Sequence, residues 1–339
     1  MPAISASKKE GMKLVEIGEF ALIAAVKEMA AQGEGVIKGI GDDAAVLRPC
    51  PGMVSLATTD LLLEGVHFKL EYTDPYRLGR KAAAVNLSDI AACGGIPRAM
   101  LVSLAIAPDA ELAFVQSLYK GMLEQAQEFK VALVGGDTSQ GDRLLISITL
   151  MGEAEEGKIV YRAGAKKGDL IFVTGTVGDA ALGLQQLKKG KKEGGLVQQH
   201  LTPVPRVKEG QAIARQGLAT AMIDISDGLV ADLGHIAEAS QVGAEVRLSR
   251  LPISEEYRKE VKAYSPDPYA LALTGGEDYE LLFTSAPEKE QAVGKLAREL
   301  GIPITAIGEV VAVAQGVTIY GESGKEYPIA QRGHDHFKS

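Results

Sequence analysis

The sequence predicts an α+β fold of layered α/β character in two domains, and three observations predict it. Strand-like apolar runs and helix-period segments interleave along the 339 residues, but short turns link several strands. That pattern fits stacked layers better than a doubly wound sheet. Gly152 to Gly168 is rich in Gly, Lys and Glu, as domain boundaries are. The residues are 46% hydrophobic, which suffices for two cores at this length. Residues 1–10 read as a disordered leader and 11–153 as an N-terminal domain with a mixed sheet and helices on one face. Residues 154–339 read as a C-terminal α/β domain.

Each element has its own signal. Phe20, Ile23 and Ala24 recur at helical spacing, which predicts a helix over 17–31. Strands are expected over 44–47 and 53–57. Asp74-Pro75 has the form of a cap followed by proline at the first helical position, so a helix should run from there to Cys93 and stop at Gly94-Gly95. Leu78, Ala82, Val85, Asp89 and Cys93 form one stripe on it, which places a carboxylate on the buried face, where it needs a cation or donors. A strand over 100–107, an amphipathic helix carrying Leu112, Val115, Tyr119, Met122 and Ala126, and strands over 131–134 and 144–151 complete the first half. The second half predicts strands over 170–174, 221–225, 244–248, 279–284 and 305–311, with helices over 179–187, 205–216 and 288–300 and one after Asp227-Gly228 that continues to about Ser240. The charged, glycine-rich stretch 188–195 reads as a mobile surface loop.

The candidate chemistry lies in glycine-acid and hydroxyl-acid motifs, most of which follow strand-like segments. These are Gly39-Ile40-Gly41-Asp42-Asp43, Thr58-Thr59-Asp60, Asn86-Leu87-Ser88-Asp89, Gly135-Gly136-Asp137-Thr138, Asp224-Ile225-Ser226-Asp227-Gly228 and Gly275-Gly276-Glu277-Asp278. One acid after a strand is ordinary turn chemistry, but this many in one chain exceeds what turns require. There is no Gly-x-x-x-x-Gly-Lys-Ser/Thr loop, no Gly-x-Gly-x-x-Gly opening a helix, and no His-Glu-x-x-His. A net charge of −8 argues against a nucleic-acid partner, and 5% aromatic residues without Trp argue against base stacking. Cys50 and Cys93 form no Cys-x-x-Cys and no apolar run is long enough for a membrane span, so a cytoplasmic protein is expected. Carboxylate and hydroxyl oxygens suit Mg²⁺, and a carboxylate cluster reaches phosphate only through bridging cations. The residues point to a Mg²⁺-dependent enzyme acting on phosphates, with a structural calcium site or plain turns as the competing readings.

In order along the chain, these motifs resemble the bacterial thiamine-monophosphate kinase family, within the aminoimidazole-ribonucleotide-synthetase-like superfamily. The resemblance also rests on Gly65-Val66-His67-Phe68, Glu277-Asp278-Tyr279-Glu280-Leu281 and the tail Gly333-His334-Asp335-His336-Phe337. It implies a two-domain fold of that superfamily and a phosphotransferase that moves the γ-phosphate of ATP to thiamine phosphate. It further implies several Mg²⁺ ions and a homodimer formed through the N-terminal, metal- and ATP-binding domain. By position, Asp43, Thr58, Thr59, Asp60, Asp89, Asp137, Asp224 and Asp227 resemble metal ligands. Tyr119, Gly136, Arg162 and Ser226 resemble ATP contacts, and His67, Glu277 and His334 thiamine phosphate contacts. The family usually has a larger aromatic where His334 stands. No catalytic side chain is implied beyond positioning and metals. On the residues themselves, Asp42 also reads as a turn cap, Tyr119 as core, Arg162 as a surface charge, and His67 and Glu277 as loop residues. Another enzyme of the superfamily, a nucleotide sensor and a calcium-stabilised protein are the alternatives. ATP turnover and metal preference separate them.

Overall fold

The computed structural model describes residues 11–313 and 316–329. The leader expected over 1–10 and His334 lie outside the described residues. The chain forms two compact units: one runs to Leu87 and adds Pro97–Ala154, the other holds Ser88–Ile96 and the residues from Glu155 onward. A single cut in the sequence cannot express this division, because it passes through a helix.

The first unit opens with α1 (Leu14–Ile17) and α2 (Glu19–Met29) rather than one helix. Gly18 separates them at φ 76°, a backbone no helix continues through. The break turns the buried face: Leu22 is enclosed while Phe20, expected on the apolar side, is 85% exposed. Strands β1 (Val36–Lys38) and β2 (Val46–Leu47) pair antiparallel, Val36 opposite Leu47, and bring the acidic loop between them. There follow β3 (Met53–Leu63), α3 (Pro75–Ala92), β4 (Ile96–Ile106), α4 (Leu112–Gln127), β5 (Ala132–Gln140) and β6 (Leu145–Glu155). The sheet order is β3-β6-β4-β5, with β4 and β5 parallel. Asp74 caps α3 by accepting the Arg77 N–H at 2.8 Å, just before Pro75. Alternate residues of β6 (Ile146, Ile148, Leu150) and the inner stripe of α4 (Val115, Leu118, Met122) are buried, the periods of a strand and a helix facing a core.

The second unit contains β7 (Leu170–Thr174), α5 (Asp179–Lys188), α6 (Gly195–Leu201), α7 (Val207–Arg215), β8 (Ala221–Asp224), α8 (Leu229–Ser240) and β9 (Gly243–Arg247). It continues with α9 (Glu255–Glu260), α10 (Ala270–Thr274), β10 (Leu281–Ser285), α11 (Glu290–Leu300), β11 (Ile304–Val311) and β12 (Val317–Tyr320). Its sheet runs β12-β9-β11-β7-β10-β8, antiparallel except where β12 lies parallel to β9. Ile171, Val173, Ile223 and Leu282 from the sheet meet Leu229, Leu233 and Ile236 of α8 in one core. The stretch expected to be a loose charged loop is partly tied down: Lys191 Nζ lies 3.1 Å from Glu260 Oε1, and α6 begins directly after it.

Candidate functional site

In the first unit the acidic loop separates its two carboxylates. Asp42 Oδ1 accepts the Asp43 N–H at 3.0 Å and Lys38 Nζ sits 3.4 Å from its other oxygen. That N–H first, and then Lys38, hold the Asp42 carboxyl below its usual range. Asp42 is therefore the turn cap, and Asp43 is left exposed beside it.

Thr58-Thr59-Asp60 does not follow a strand, as expected, but lies inside β3. Threonine favours strands, and Leu61–Leu63 carry the pairing on past the acid. Strand alternation then divides the motif: Thr58 and Asp60 are half-buried on one face, and Thr59 is exposed on the other. The Thr59 hydroxyl donates to Ile148 O at 3.1 Å, a contact to the neighbouring strand. Asp60 is fixed from α3, where Asn86 Oδ1 accepts its N–H at 3.1 Å. Asp137 also lies within a strand, β5, opposite Ser103 of β4. It accepts the following Thr138 N–H at 2.9 Å. Beside it, Gly136 has φ 155°, and a Cβ there would stand 1.9 Å from Val102 O. Only glycine lets the chain approach so closely.

His67 sits in the turn after β3, where its Nδ1 accepts the Leu63 N–H at 3.0 Å. The proton of the neutral ring is then on Nε2. Tyr119 is 4% exposed on the inner stripe of α4, and burial pushes its phenol up to about 12. Its side chain is core, as the stripe it shares with Val115 and Met122 predicts.

In the second unit the end of α3 meets β8. Ser88 Oγ donates to Asp224 Oδ2 at 2.6 Å, both residues buried. Burial, then the charge of Asp89, raises the Asp224 carboxyl far above its ordinary range. Burial also raises the Cys93 thiol, with Asp89 and Asp224 adding to it and Arg162 opposing. Asp89 thus acts on Asp224, and Asp89, Asp224 and Arg162 all act on the Cys93 thiol. Two carboxylates so placed resist being charged together unless a cation lies between them, and hard oxygen donors of this kind fit Mg²⁺.

The loop after β8 is organised by a residue the sequence reading missed. Asp232, in the first turn of α8, accepts the N–H groups of Ser226, Asp227 and Gly228, each at 3.1 Å. Burial, then the Asp227 charge, pushes its carboxyl up to about 7. Asp227, Asp232 and His235 bring ligand atoms within 4.8 Å of one another. An acid within the first turn of a helix that follows a Ser-Asp-Gly loop was the available signal.

The Gly275-Gly276-Glu277-Asp278 loop lies along this one. Glu277 N–H donates to Ser226 O at 2.8 Å and Tyr279 N–H to Ile225 O at 2.9 Å. A Cβ on Gly276 would stand 2.2 Å from Ser226 O. Glu277 and Tyr279 both have positive φ, 69° and 51°, which is rare for such residues. The acids of the run take different parts. Asp278 Oδ2 accepts the Gly178 N–H at 2.7 Å and its Oδ1 the Ala180 N–H at 3.2 Å, at the start of α5. Glu280 holds Arg206, whose Nε donates at 2.7 Å, and accepts from Thr174 Oγ1 at 2.6 Å. Glu277 is the more exposed acid, with His200 Nδ1 3.1 Å from its Oε2. Arg162 is exposed, and its turn is pinned by Ser240 Oγ, which accepts the Gly164 and Ala165 N–H groups at 3.1 Å.

Comparison with known proteins follows this geometry. Residues 41–154 match the AIR synthase related protein N-terminal domain, and residues 166–321 match the AIR synthase related protein C-terminal domain. The thiamine-monophosphate kinase of Aquifex aeolicus (strain VF5) is 38% identical over 331 residues, which is 96% of this chain and 100% of the relative. Among solved structures, the thiamine-monophosphate kinase from Stenotrophomonas maltophilia K279a superposes with a TM-score of 0.82 at 38% identity, covering 92% of this chain and 98% of that one. AaThiL complexed with AMPPCP and TMP does so with a TM-score of 0.75 at 37% identity, covering 96% and 99%. With both domains matched in order and the identity sustained from end to end, the chain belongs to the thiamine-monophosphate kinase family.

Proposed function

We propose that this chain transfers the γ-phosphate of ATP to thiamine phosphate, giving thiamine diphosphate and ADP. The observation that carries this is identity of 38% with a thiamine-monophosphate kinase along its whole length. A related structure bound to AMPPCP and TMP supports the same pair of substrates.

Asp43, Thr58, Asp60 and Asp137 in the first unit, and Asp89, Asp224 and Asp227 in the second, would hold Mg²⁺. Bound Mg²⁺ supplies charge neutralisation at phosphate oxygens. The chain's own part is positioning. Gly136 admits a ligand close to the backbone, Ser226 stands on a loop fixed by Asp232, and Arg162 offers a cation on a pinned turn. His67 and Glu277 would contact thiamine phosphate. Direct in-line transfer fits, because the thiols are poor nucleophiles here. Glu153 first, then burial, raises the Cys50 thiol, and burial raises that of Cys93.

A homodimer in the cytoplasm completes the proposal. β3 is a long edge strand whose Ser55, Ala57, Thr59 and Leu61 are exposed, and a second copy paired there would cover it. Among the described residues no helix is long and apolar enough to cross a membrane.

The test offers γ-labelled ATP with Mg²⁺ and either thiamine phosphate, free thiamine or selenide. Label should appear in thiamine diphosphate. Comparable turnover of free thiamine, turnover of selenide alone, or a labelled phosphoprotein would overturn the proposal. Sedimentation of a fully active monomer would overturn the dimer.

A further inference from the structure

The contacts around Glu277 close into a ring. Its neighbour Asp278 grips the first residues of α5 through Gly178 and Ala180. Further along α5, a Cβ on Gly183 would stand 2.0 Å from Leu196 O, so the backbones of α5 and α6 touch there. One turn beyond Leu196, and on the same side of α6, is His200. Its imidazole, with 6% of the side chain exposed, brings Nδ1 back to 3.1 Å from Glu277 Oε2. Nδ1 makes no aligned hydrogen bond, so the contact is an ion pair, formed when the imidazole is protonated. The other end of Glu277 is fixed as well, since its N–H is bound to Ser226 O and its φ is 69°. Backbone and tip are therefore both set, and 25% of the side chain remains exposed.

We propose that His200 is a positioning residue for substrate specificity: it holds the Glu277 carboxylate in the orientation that receives the cationic, ring-bearing end of thiamine phosphate. This rests on the reading of Glu277 as a contact for that substrate. His200 touches neither substrate in this scheme. Its effect is to spare the carboxylate the ordering cost of binding, which shows in affinity for one substrate and not the other.

The test measures KM for each substrate in full-length variants. His200→Leu should raise KM for thiamine phosphate about tenfold, the scale of leaving a half-buried charged group without its partner, with kcat and the ATP KM within about twofold. His200→Gln removes the charge and should behave as His200→Leu, which keeps a polar variant for the comparison if the leucine protein does not fold. Glu277→Gln should raise the same KM, and adding His200→Leu to it should cost nothing more. An unchanged thiamine phosphate KM in a folded His200→Leu or His200→Gln enzyme overturns the proposal, as does an equal rise in the ATP KM or an additive double variant. An unchanged KM in Glu277→Gln shows instead that the underlying reading of Glu277 fails, and removes the proposal with it.

Discussion

Ser88 and Asp224, 136 residues apart, share a 2.6 Å hydrogen bond in which the buried serine hydroxyl fixes one carboxylate oxygen. The same carboxylate has Asp89 as a charged neighbour. Asp224→Asn should lose on the order of 10²-fold in rate, by analogy with loss of one preorganised electrostatic partner, while remaining folded. Ser88→Ala should keep the ligand and loosen its aim, raising the Mg²⁺ needed for half-maximal rate roughly tenfold. Mg²⁺ titration of the reaction checks both, and wild-type behaviour in Asp224→Asn would remove this carboxylate from the metal set.

Arg206 and Glu280 predict stability rather than turnover. Their side chains are 17% and 7% exposed, and the guanidinium binds both carboxylate oxygens. Arg206→Met leaves a buried acid without its cation and should cost about 3–5 kcal/mol in urea denaturation. Replacing both, as Arg206→Met with Glu280→Leu, should recover much of that loss. A double variant as unstable as the single one would show that the pair is not the cause.

Asp278 predicts a pH dependence. Burial holds its carboxyl well above the ordinary range, against the two backbone N–H groups it accepts. A carboxyl raised in the folded state binds its proton more tightly there than in the unfolded chain. Its stabilising contribution is full below about pH 4 and is lost as pH rises through the folded-state value. Tm should therefore fall from acidic to mildly alkaline pH, and Asp278→Asn should make the slope shallower. A slope unchanged by that substitution would contradict the assignment.

Gly136 predicts a backbone effect. At φ 155°, with Val102 O 1.9 Å from where a Cβ would lie, Gly136→Ala must displace β5 from β4. A displacement near 1 Å is expected to cost on the order of 10²-fold in kcat/KM for ATP. Normal ATP kinetics in a folded Gly136→Ala enzyme would show that the close approach serves only the sheet.

Much of this was legible in the sequence, for reasons that also explain what was not. The Asp74-Pro75 cap, the stripe on α4 and the buried strand at Leu170–Thr174 are local signals, and local geometry obeys them. Thr58-Thr59-Asp60 and Gly136-Asp137 were expected to terminate strands, because an acid beside glycine or threonine is usual turn chemistry. Pairing with neighbouring strands carried β3 and β5 through them instead. Ser88, His200 and Asp232 were passed over because their partners are set by topology: a serine in a helix gives no sign that a strand will deliver an aspartate to it. Tyr119 shows the opposite case, since its helical stripe already marked it as core.

The left-handed backbone at Glu277 and Tyr279 has a consequence for anyone seeking to stabilise this enzyme. Each such residue holds about 1–2 kcal/mol that glycine would release, and two glycines stand immediately before them in the chain. A search for thermostable variants would rank Glu277→Gly among its backbone-relaxing candidates, but not Tyr279→Gly, because Tyr279 is buried and its loss would open a cavity. At Glu277 that gain would be taken directly from the carboxylate we propose for the substrate, which would set heat resistance and discrimination against each other at a single torsion angle.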